Sequence, residues 1–222
     1  MKRSDIAREI DHTVLAPTSP RQAFLDACAY AKEIHCASVC ICPFFVRECA
    51  ELLRGSGVEV CTVIGFPHGT HTTAAKVAEA RLAMEDGATE LDMVVNVSKV
   101  KDHDWGYVER DIGAVCQTVH GAGRLLKVIF ETCFLTEEEK ITLCEICTRV
   151  GVDFVKTSTG YGKGGATPAD IALMKAHVGP AVRIKAAGGI HTAEELLALR
   201  AAGADRFGCS RTADILAGIP EA

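Results

Sequence analysis

The chain has 222 residues, and its 24 lysines and arginines against 29 aspartates and glutamates give a formal net charge of −5. No clustered basic stretch is present, which argues against nucleic acid as a partner because binding to the phosphate backbone needs one. No apolar run reaches the roughly 18 residues of a membrane span, and the first residues lack the apolar stretch of a signal peptide. We therefore expect a globular cytoplasmic protein with no membrane partner.

Cysteine usage agrees with that location. The chain has 11 cysteines, an odd number, and several lie within apolar segments such as residues 39–42. Reduced, buried thiols are therefore expected in place of disulfides.

Eight strand-like segments recur along the chain, separated by segments that read as helices. Four of them follow a glycine that ends a helix, and these glycines are spaced by one or two units of about 26 to 32 residues, the size of a βα repeat. In chain order the predicted strands lie near residues 10–14, 37–42, 59–65, 90–96, 125–131, 153–158, 182–187 and 206–210.

Helix starts fit between these strands. Thr136 and Thr192 each open a Thr-x-x-Glu capping box, and Thr167 precedes a proline that suits the first helical turn. Eight parallel strands alternating with helices predict an α/β protein, a single (βα)8 TIM barrel over residues 1–222 with a short N-terminal helix. The alternative, an open doubly wound sheet, usually has fewer strands at this length, and its Gly-x-Gly-x-x-Gly motif is absent after the first strand.

Side chains alternate between the two faces of a strand, so each predicted strand has an outer and an inner set. The outer set is apolar and packs under the helices. The inner set points into the barrel and includes Cys40, Cys42, Asp92, Asn96, Lys127, Glu131, Lys156, Ser158, Arg183 and Lys185. Because a buried, unpaired charge is costly, the ionisable members of this set need an explanation.

For two of the cations we favour a structural explanation. Lys127 and Arg183 are interpreted as partners of Asp92 and Glu131, forming salt bridges that fix the strand register.

Lys156 and Lys185 require another explanation, since both lie toward the carboxyl ends of their strands, where barrel enzymes place catalytic groups. Two neighbouring lysines in a low-dielectric cavity disfavour each other's protonation, and desolvation acts in the same direction, so one of them should hold a free amine. A free amine forms a Schiff base with carbonyl compounds, and Asp92 on a nearby strand can move the protons.

Glycine-rich segments follow the last three predicted strands, at residues 160–165, 187–192 and 208–211. Each alone is compatible with a simple tight turn. Together they predict a phosphate site, because small residues let backbone N–H groups approach an anion at this end of a barrel.

These segments resemble the deoxyribose-phosphate aldolase family from about residue 10 to the C-terminus, in the family's order. The matching motifs are Ile10-Asp11-His12-Thr13, Ala37-Ser38-Val39-Cys40, Val63-Ile64-Gly65-Phe66-Pro67, Glu90-Leu91-Asp92-Met93-Val94-Val95-Asn96, Lys127-Val128-Ile129-Phe130-Glu131-Thr132-Cys133, Phe154-Val155-Lys156-Thr157-Ser158-Thr159-Gly160 and Ile184-Lys185-Ala186-Ala187-Gly188-Gly189. The resemblance implies a class I aldolase that cleaves 2-deoxy-D-ribose 5-phosphate to acetaldehyde and D-glyceraldehyde 3-phosphate, with no metal and no cofactor.

The resemblance also implies roles for individual residues. Lys156 would form the Schiff base, Lys185 would tune it and share proton transfer, and Asp92 would be the acid and base. Proton relay or substrate contact would fall to Asp11, Thr13 and Cys40, although for Cys40 we favour a small residue lining the cavity over a reactive thiol. The phosphate would be received by Gly160, Gly188, Gly189, Gly208 and Ser210.

Several positions depart from the family pattern, and some lie on the phosphate rim. The departures are Ala16, Cys42, Ala187, Cys209 and Arg211. They leave open a related Schiff-base aldolase with another phosphorylated substrate, or a barrel that binds phosphate without catalysis. A homodimer is the assembly considered.

Two short motifs with metal-site spacing are not interpreted as metal sites. The pair Cys144 and Cys147 lies within a predicted helix, and His68 and His71 follow the third predicted strand without an obvious further ligand. Core packing and a loop role are the respective predictions.

Overall fold

The computed structural model describes residues 2–220, whose strands form a closed barrel in which each strand pairs in parallel with the next and the eighth pairs with the first. This confirms the predicted fold class and the number and order of the strands. The strands are β1 (Ile10–Val14), β2 (Ser38–Ile41), β3 (Glu59–Ile64), β4 (Glu90–Val94), β5 (Leu125–Ile129), β6 (Phe154–Lys156), β7 (Arg183–Ala187) and β8 (Arg206–Cys209).

Helices surround the barrel, and a short helix at the N-terminus confirms that part of the prediction. The helices are α1 (Arg3–Ala7), α2 (Arg21–Ile34), α3 (Val46–Leu53), α4 (Thr73–Glu85), α5 (Val97–Lys101), α6 (Trp105–Gly121), α7 (Glu137–Val150), α8 (Pro168–His177), α9 (Ala193–Ala201) and α10 (Thr212–Ala217). The predicted domain limits, residues 1 and 222, lie outside the described residues.

The predicted capping boxes form at α7 and α9. At α7 the Thr136 hydroxyl accepts a hydrogen bond from the Glu139 amide at 3.3 Å, and the Glu139 carboxylate accepts one from the Thr136 amide at 2.8 Å. Gly151 then ends this helix with a φ of 80°. Such a left-handed residue closes the helix and returns the chain to the sheet, where β6 begins three residues later.

The hydrophobic core lies between the sheet and the helices. The predicted outward set is buried, as shown by Val39, Leu91, Val128, Val155 and Ile184, each 0% exposed. The apolar faces therefore hold the helices, and the polar faces are left to the barrel interior.

The base of the barrel corrects one prediction. Arg183 is the first residue of β7, is exposed, and stacks with its guanidinium carbon 4.0 Å from the centre of the Phe154 ring. Among residues 2–220 it forms no ion pair, so its predicted pairing with Asp92 or Glu131 is wrong. The physical reason is its level: at the amino end of the strand the side chain reaches solvent. Arg206 on β8 stacks on the same ring at 5.6 Å and extends inward.

None of the helices within residues 2–220 combines the length and the apolar character needed to cross a bilayer.

Candidate active site

Asp92 lies at the centre of the barrel interior and contacts three lysine ammonium groups. Its Oδ1 is 2.9 Å from the Nζ of Lys127, and its Oδ2 is 2.8 Å from that of Lys156 and 2.7 Å from that of Lys185. Asp92, Lys127 and Lys185 are fully buried, and Lys156 is 3% exposed. Lys156, Lys185 and Asp92, which were predicted to lie close together, are therefore in direct contact through Asp92.

Strand register explains this convergence. Asp92 of β4 stands opposite Lys127 of β5, and Lys156 of β6 stands opposite Lys185 of β7. Lys156 is also opposite Ile129, two residues beyond Lys127, so the lysine pair lies nearer the carboxyl ends of the strands. Lys127 therefore approaches the Asp92 carboxylate from the side of the amino ends of the strands, and Lys156 and Lys185 approach it from the side of the carboxyl ends.

Asp11 of β1 is the second carboxylate of the cluster. Its Oδ2 accepts a short hydrogen bond from Lys185, while its Oδ1 accepts from Arg206 and from the Ser38 hydroxyl, both at 2.7 Å. Lys185 therefore bridges two buried carboxylates, Asp11 and Asp92. The resemblance implied that Asp11 lies beside Asp92 and the two lysines, and in the structure Asp11 contacts Lys185 directly.

The electrostatics of the cluster follow from these contacts. Burial by itself would raise the pKa of Asp92, but the charges of Lys127, Lys156 and Lys185 hold it well below its usual range. Burial likewise opposes the charge of Lys185, yet Asp11 and Asp92 outweigh burial and raise the pKa of Lys185 above its ordinary value. Lys185 is thus the lysine that stays protonated, and the free amine predicted for one member of the pair is not Lys185.

Two charged residues of the cluster were missing from the sequence prediction. The carboxylate of Glu90 is 2.6 Å from Lys127, and Arg206 reaches both Glu90, at 3.5 Å, and Asp11. The signal was available, because Glu90 precedes Asp92 by two residues and Arg206 precedes Gly208 by two, so each shares a face with an inward position.

Lys127 is confirmed as a structural cation paired with Asp92, but Glu131 takes no part in that pairing. Strand β5 ends at Ile129, and Glu131 adopts a left-handed φ of 58°. Its carboxylate accepts hydrogen bonds from the amide and the hydroxyl of Thr159. Asn96, also predicted to face inward, caps α5 by accepting from the Lys99 amide at 3.2 Å.

A cavity of about 200 Å³ opens at the carboxyl ends of the strands, above the lysine pair. Its lining includes the candidate substrate and phosphate residues Thr13, Lys156, Gly160, Gly188, Gly189, Gly208 and Ser210. Arg211, one of the departures from the family pattern, is exposed and outside the lining, and Cys40 is fully buried and also outside it. The glycine-rich segments therefore meet at one rim, with Lys156 at the same cavity.

The core packing predicted for Cys144 and Cys147 is confirmed. Cys144 and Cys147 are buried in the core on α7. Neither these cysteines nor His68 and His71 belong to a group of potential metal ligands within residues 2–220.

A parallel eight-stranded barrel with buried lysines at the carboxyl ends of its strands defines a class of barrel enzymes in which catalytic groups occupy that end. Comparison with known proteins narrows this class. A family model described as DeoC/LacD family aldolase matches residues 6–210. The chain belongs to the DeoC/LacD family of aldolases.

Individual relatives agree along nearly the whole chain. Deoxyribose-phosphate aldolase from Rhodopirellula baltica is 53% identical over 96% of this chain and 88% of that protein. The enzyme of the same name from Bacillus cytotoxicus is 50% identical over 96% and 95%. A solved structure described as the tetrameric deoxyribose phosphate aldolase from Aeropyrum pernix has a TM-score of 0.91 at 29% identity, covering 97% of this chain and 91% of that one.

Proposed function

We propose that this chain reversibly cleaves 2-deoxy-D-ribose 5-phosphate to acetaldehyde and D-glyceraldehyde 3-phosphate through a Schiff base on Lys156. The observation that carries the assignment is the placement of Lys156, which lines the cavity and whose Nζ lies 2.8 Å from Asp92, while its neighbour Lys185 is buried between two carboxylates. Of the two lysines, only Lys156 lines the cavity that a substrate can enter.

The phosphate end of the substrate is assigned to the glycine-rich rim of the cavity. Gly188 and Gly189 both have a left-handed φ, 81° and 74°, and a side chain at Gly188 would meet the backbone of Gly165 at 3.2 Å. Glycines at these positions let the backbone turn sharply and leave its N–H groups accessible to an anion. Gly160, Gly208 and Ser210 complete the rim.

Bond formation begins at Lys156. The reactive form of Lys156 is its unprotonated amine, which attacks the C1 carbonyl of the open-chain sugar to give a carbinolamine. Loss of water then gives an iminium ion. Because Lys127 and Lys185 remain charged around Asp92, its carboxylate is a weak base that receives a proton and readily returns it.

Bond cleavage uses the iminium ion as an electron sink. Removal of the proton from the C3 hydroxyl turns C3 of the sugar into the aldehyde carbon of D-glyceraldehyde 3-phosphate, and the electrons of the C2–C3 bond move to the iminium to give an enamine. Protonation of C2 and hydrolysis release acetaldehyde and regenerate Lys156. Asp92 and Lys185 lie in direct contact and form the proposed proton relay, with Asp11 holding Lys185.

Thr13 and Cys40, the two remaining candidates for relay or substrate contact, differ in their position. Thr13 lines the cavity and its hydroxyl donates to the backbone carbonyl of Asp11 at 3.0 Å, which supports a substrate contact at the mouth of the relay. Cys40 lies below the cavity lining. Neither substrate contact nor the alternative prediction, a small residue lining the cavity, suits it, because Cys40 is fully buried and does not belong to the cavity lining.

Changes at the phosphate rim support a second candidate, the same chemistry on another phosphorylated substrate. Ala187 lines the cavity, where the family pattern has serine, and Cys209 is buried behind it. Cleavage rates on 2-deoxy-D-ribose 5-phosphate, its unphosphorylated analogue and other phosphorylated sugars discriminate the two.

The Schiff base is tested by trapping. Borohydride added with acetaldehyde should leave a reduced two-carbon adduct on Lys156, located by peptide mass spectrometry. Lys156→Ala should show neither adduct nor turnover. An adduct on another lysine, or normal turnover by Lys156→Ala, would remove the mechanism.

Domain organisation, cellular location and assembly complete the proposed function. We propose that residues 1–222 act as one domain and that the protein works in the cytosol, where its 11 thiols stay reduced. A homodimer stays a prediction, to be measured by light scattering.

A further inference from the structure

Two cysteines lie beside Asp92 and have no part in the proposed reaction. Cys40 of β2 and Cys61 of β3 stand opposite each other in the strand register, and both are fully buried. The Sγ of Cys61 is 3.3 Å from Oδ1 of Asp92. One ligand atom from each of the three residues lies within 4.8 Å of the other two.

We propose that Cys40, Cys61 and Asp92 form a binding site for a soft divalent cation, Zn²⁺ or Cd²⁺, whose occupation inhibits the enzyme. The inhibitory half of this proposal rests on the proposed function of Asp92, whereas the binding half does not. Thiolates and a carboxylate are the ligands that these ions prefer. The three ligand atoms lie within 4.8 Å of one another, and the ligands of a tetrahedral Zn²⁺, about 2.0 to 2.3 Å from the ion, lie about 3.3 to 3.8 Å apart, so side-chain movements of at most about 1.5 Å close the site.

Charge balance makes such a site feasible among lysines. The divalent cation enters as the two thiols release their protons, so the net charge of the barrel interior does not change. Burial, together with Cys40 and Asp92, raises the pKa of the Cys61 thiol well above its usual value, and the ammonium of Lys127, 3.4 Å from its Sγ, opposes this effect, so the metal ion has to displace the proton of Cys61. The neighbouring Cys61 thiol lowers the pKa of Cys40, with smaller contributions from Lys185 and Lys156.

The position of the site explains how a metal ion can reach it and why its binding would inhibit the enzyme. Leu15 lines the cavity mouth and packs on the small apolar cluster that contains Cys40 and Cys61, so the thiols lie directly below the substrate cavity. A metal ion on Oδ1 of Asp92 would compete with Lys127 for that oxygen and draw the carboxylate away from its contact with Lys156. Asp92 could then no longer exchange protons with Lys156.

The chain contains a matched control. Cys28 of α2 and Cys49 of α3 are also buried, with their sulfur atoms 3.4 Å apart. No potential metal-ligand group within the described part of the chain includes them. A variant of this pair tests whether two neighbouring buried thiols, without a carboxylate, are sufficient to bind the metal ion.

The experiment is a Cd²⁺ titration of the full chain, followed by the thiolate-to-cadmium absorption in the ultraviolet and by aldolase activity. Wild type and Cys28→Ser should both show the absorption and be inhibited, and a chelator should reverse both effects. Cys61→Ser should lose this absorption and resist inhibition by at least about tenfold, because loss even of a group that merely supports a ligand weakens metal binding about 10- to 100-fold.

Each result decides the proposal. Unchanged absorption and inhibition in Cys61→Ser would overturn it, as would their loss in Cys28→Ser alone. Cadmium NMR of the wild-type chain needs no variant: a resonance typical of two-thiolate ligation supports the site, and oxygen-only or four-thiolate ligation overturns it. If the chain had no aldolase activity, absorption and NMR would still test binding.

Discussion

Lys156 and Lys185 donate to the same oxygen, Oδ2 of Asp92, at 2.8 and 2.7 Å. Their environments differ, because Lys185 has a second carboxylate partner in Asp11 and no exposure, whereas Lys156 borders the cavity. One carboxylate oxygen thus joins a lysine held as a cation to a lysine available for substrate. This asymmetry assigns different roles to two residues of the same type.

Replacing Lys185 by methionine should separate the two roles. Asp11 and Asp92 would lose their shared cation, and the pKa of Asp92 would rise. We expect kcat/KM for cleavage to fall at least about 100-fold, the scale of a lost proton-transfer group. Borohydride should still trap acetaldehyde on Lys156. Wild-type kcat/KM in Lys185→Met would contradict the relay.

Arg206 should act as a positioning residue for Asp11. Its guanidinium and the Ser38 hydroxyl occupy Oδ1, which leaves Oδ2 directed at Lys185. Arg206→Met should lower kcat about ten- to 100-fold, the scale of a misplaced catalytic group, with little change in KM. Removing this cation also raises the pKa of Asp11, so the acid limb of the kcat profile should move to higher pH.

Arg183 provides the control for that experiment. It stacks on the same Phe154 ring from the neighbouring strand but is exposed. Arg183→Met should keep the wild-type profile, and Arg206→Lys should restore part of the activity. Equal losses in Arg183→Met and Arg206→Met would indicate a general effect on stability at the barrel base.

The ion pair between Lys76 and Asp111, which is buried outside the candidate active site, should contribute strongly to the free energy of unfolding. Lys76 of α4 lies 2.6 Å from Asp111 of α6, both at most 1% exposed, and also donates to the backbone carbonyl of Val94 at 2.9 Å. Lys76→Met leaves a buried carboxylate unpaired and should lower the free energy of unfolding by about 3 to 5 kcal/mol.

Urea denaturation of the single and double variants checks this expectation. The double variant Lys76→Met with Asp111→Leu removes both charges and should recover most of the loss. Additive losses in the double variant would show that the pair does not act as a unit.

His12 should make stability depend on pH. Burial lowers the pKa of His12 to about 4, and its Nδ1 lies 2.8 Å from the Thr212 hydroxyl. The unfolded chain takes up this proton near pH 6.5 and the folded chain only near 4, so stability is full above about pH 6.5. It should fall by up to about 3 kcal/mol as the pH drops to about 4.

The variant His12→Gln tests this dependence. Between about pH 5 and pH 7, above the range in which buried carboxylates take up protons, its free energy of unfolding should vary less with pH than that of wild type. Parallel pH dependences in the two proteins would exclude His12 as the source.

Much of the site could be predicted because side chains alternate between the two faces of a strand, and this alternation can be read from a few neighbouring residues. The two-residue period placed Asp92, Lys127, Lys156 and Lys185 on inward faces, and the structure brings all four together. The same period could not show how far along the barrel axis a side chain lies. Arg183 and Arg206 both have inward parity and both start their strands, yet only Arg206 reaches Asp11.

By itself the sequence determined the strands, their inner and outer faces and the helix caps, because each depends on patterns within a few residues of the chain. The count of eight such strands along the whole chain predicted the closed barrel. Only the tertiary structure decided that Lys185 bridges Asp11 and Asp92, that Glu90 and Arg206 join this cluster, and that Lys76 is buried against Asp111. The physical reason is that ion pairing depends on distances between strands and helices far apart in the chain. Those distances are set by register and packing, which local patterns do not contain.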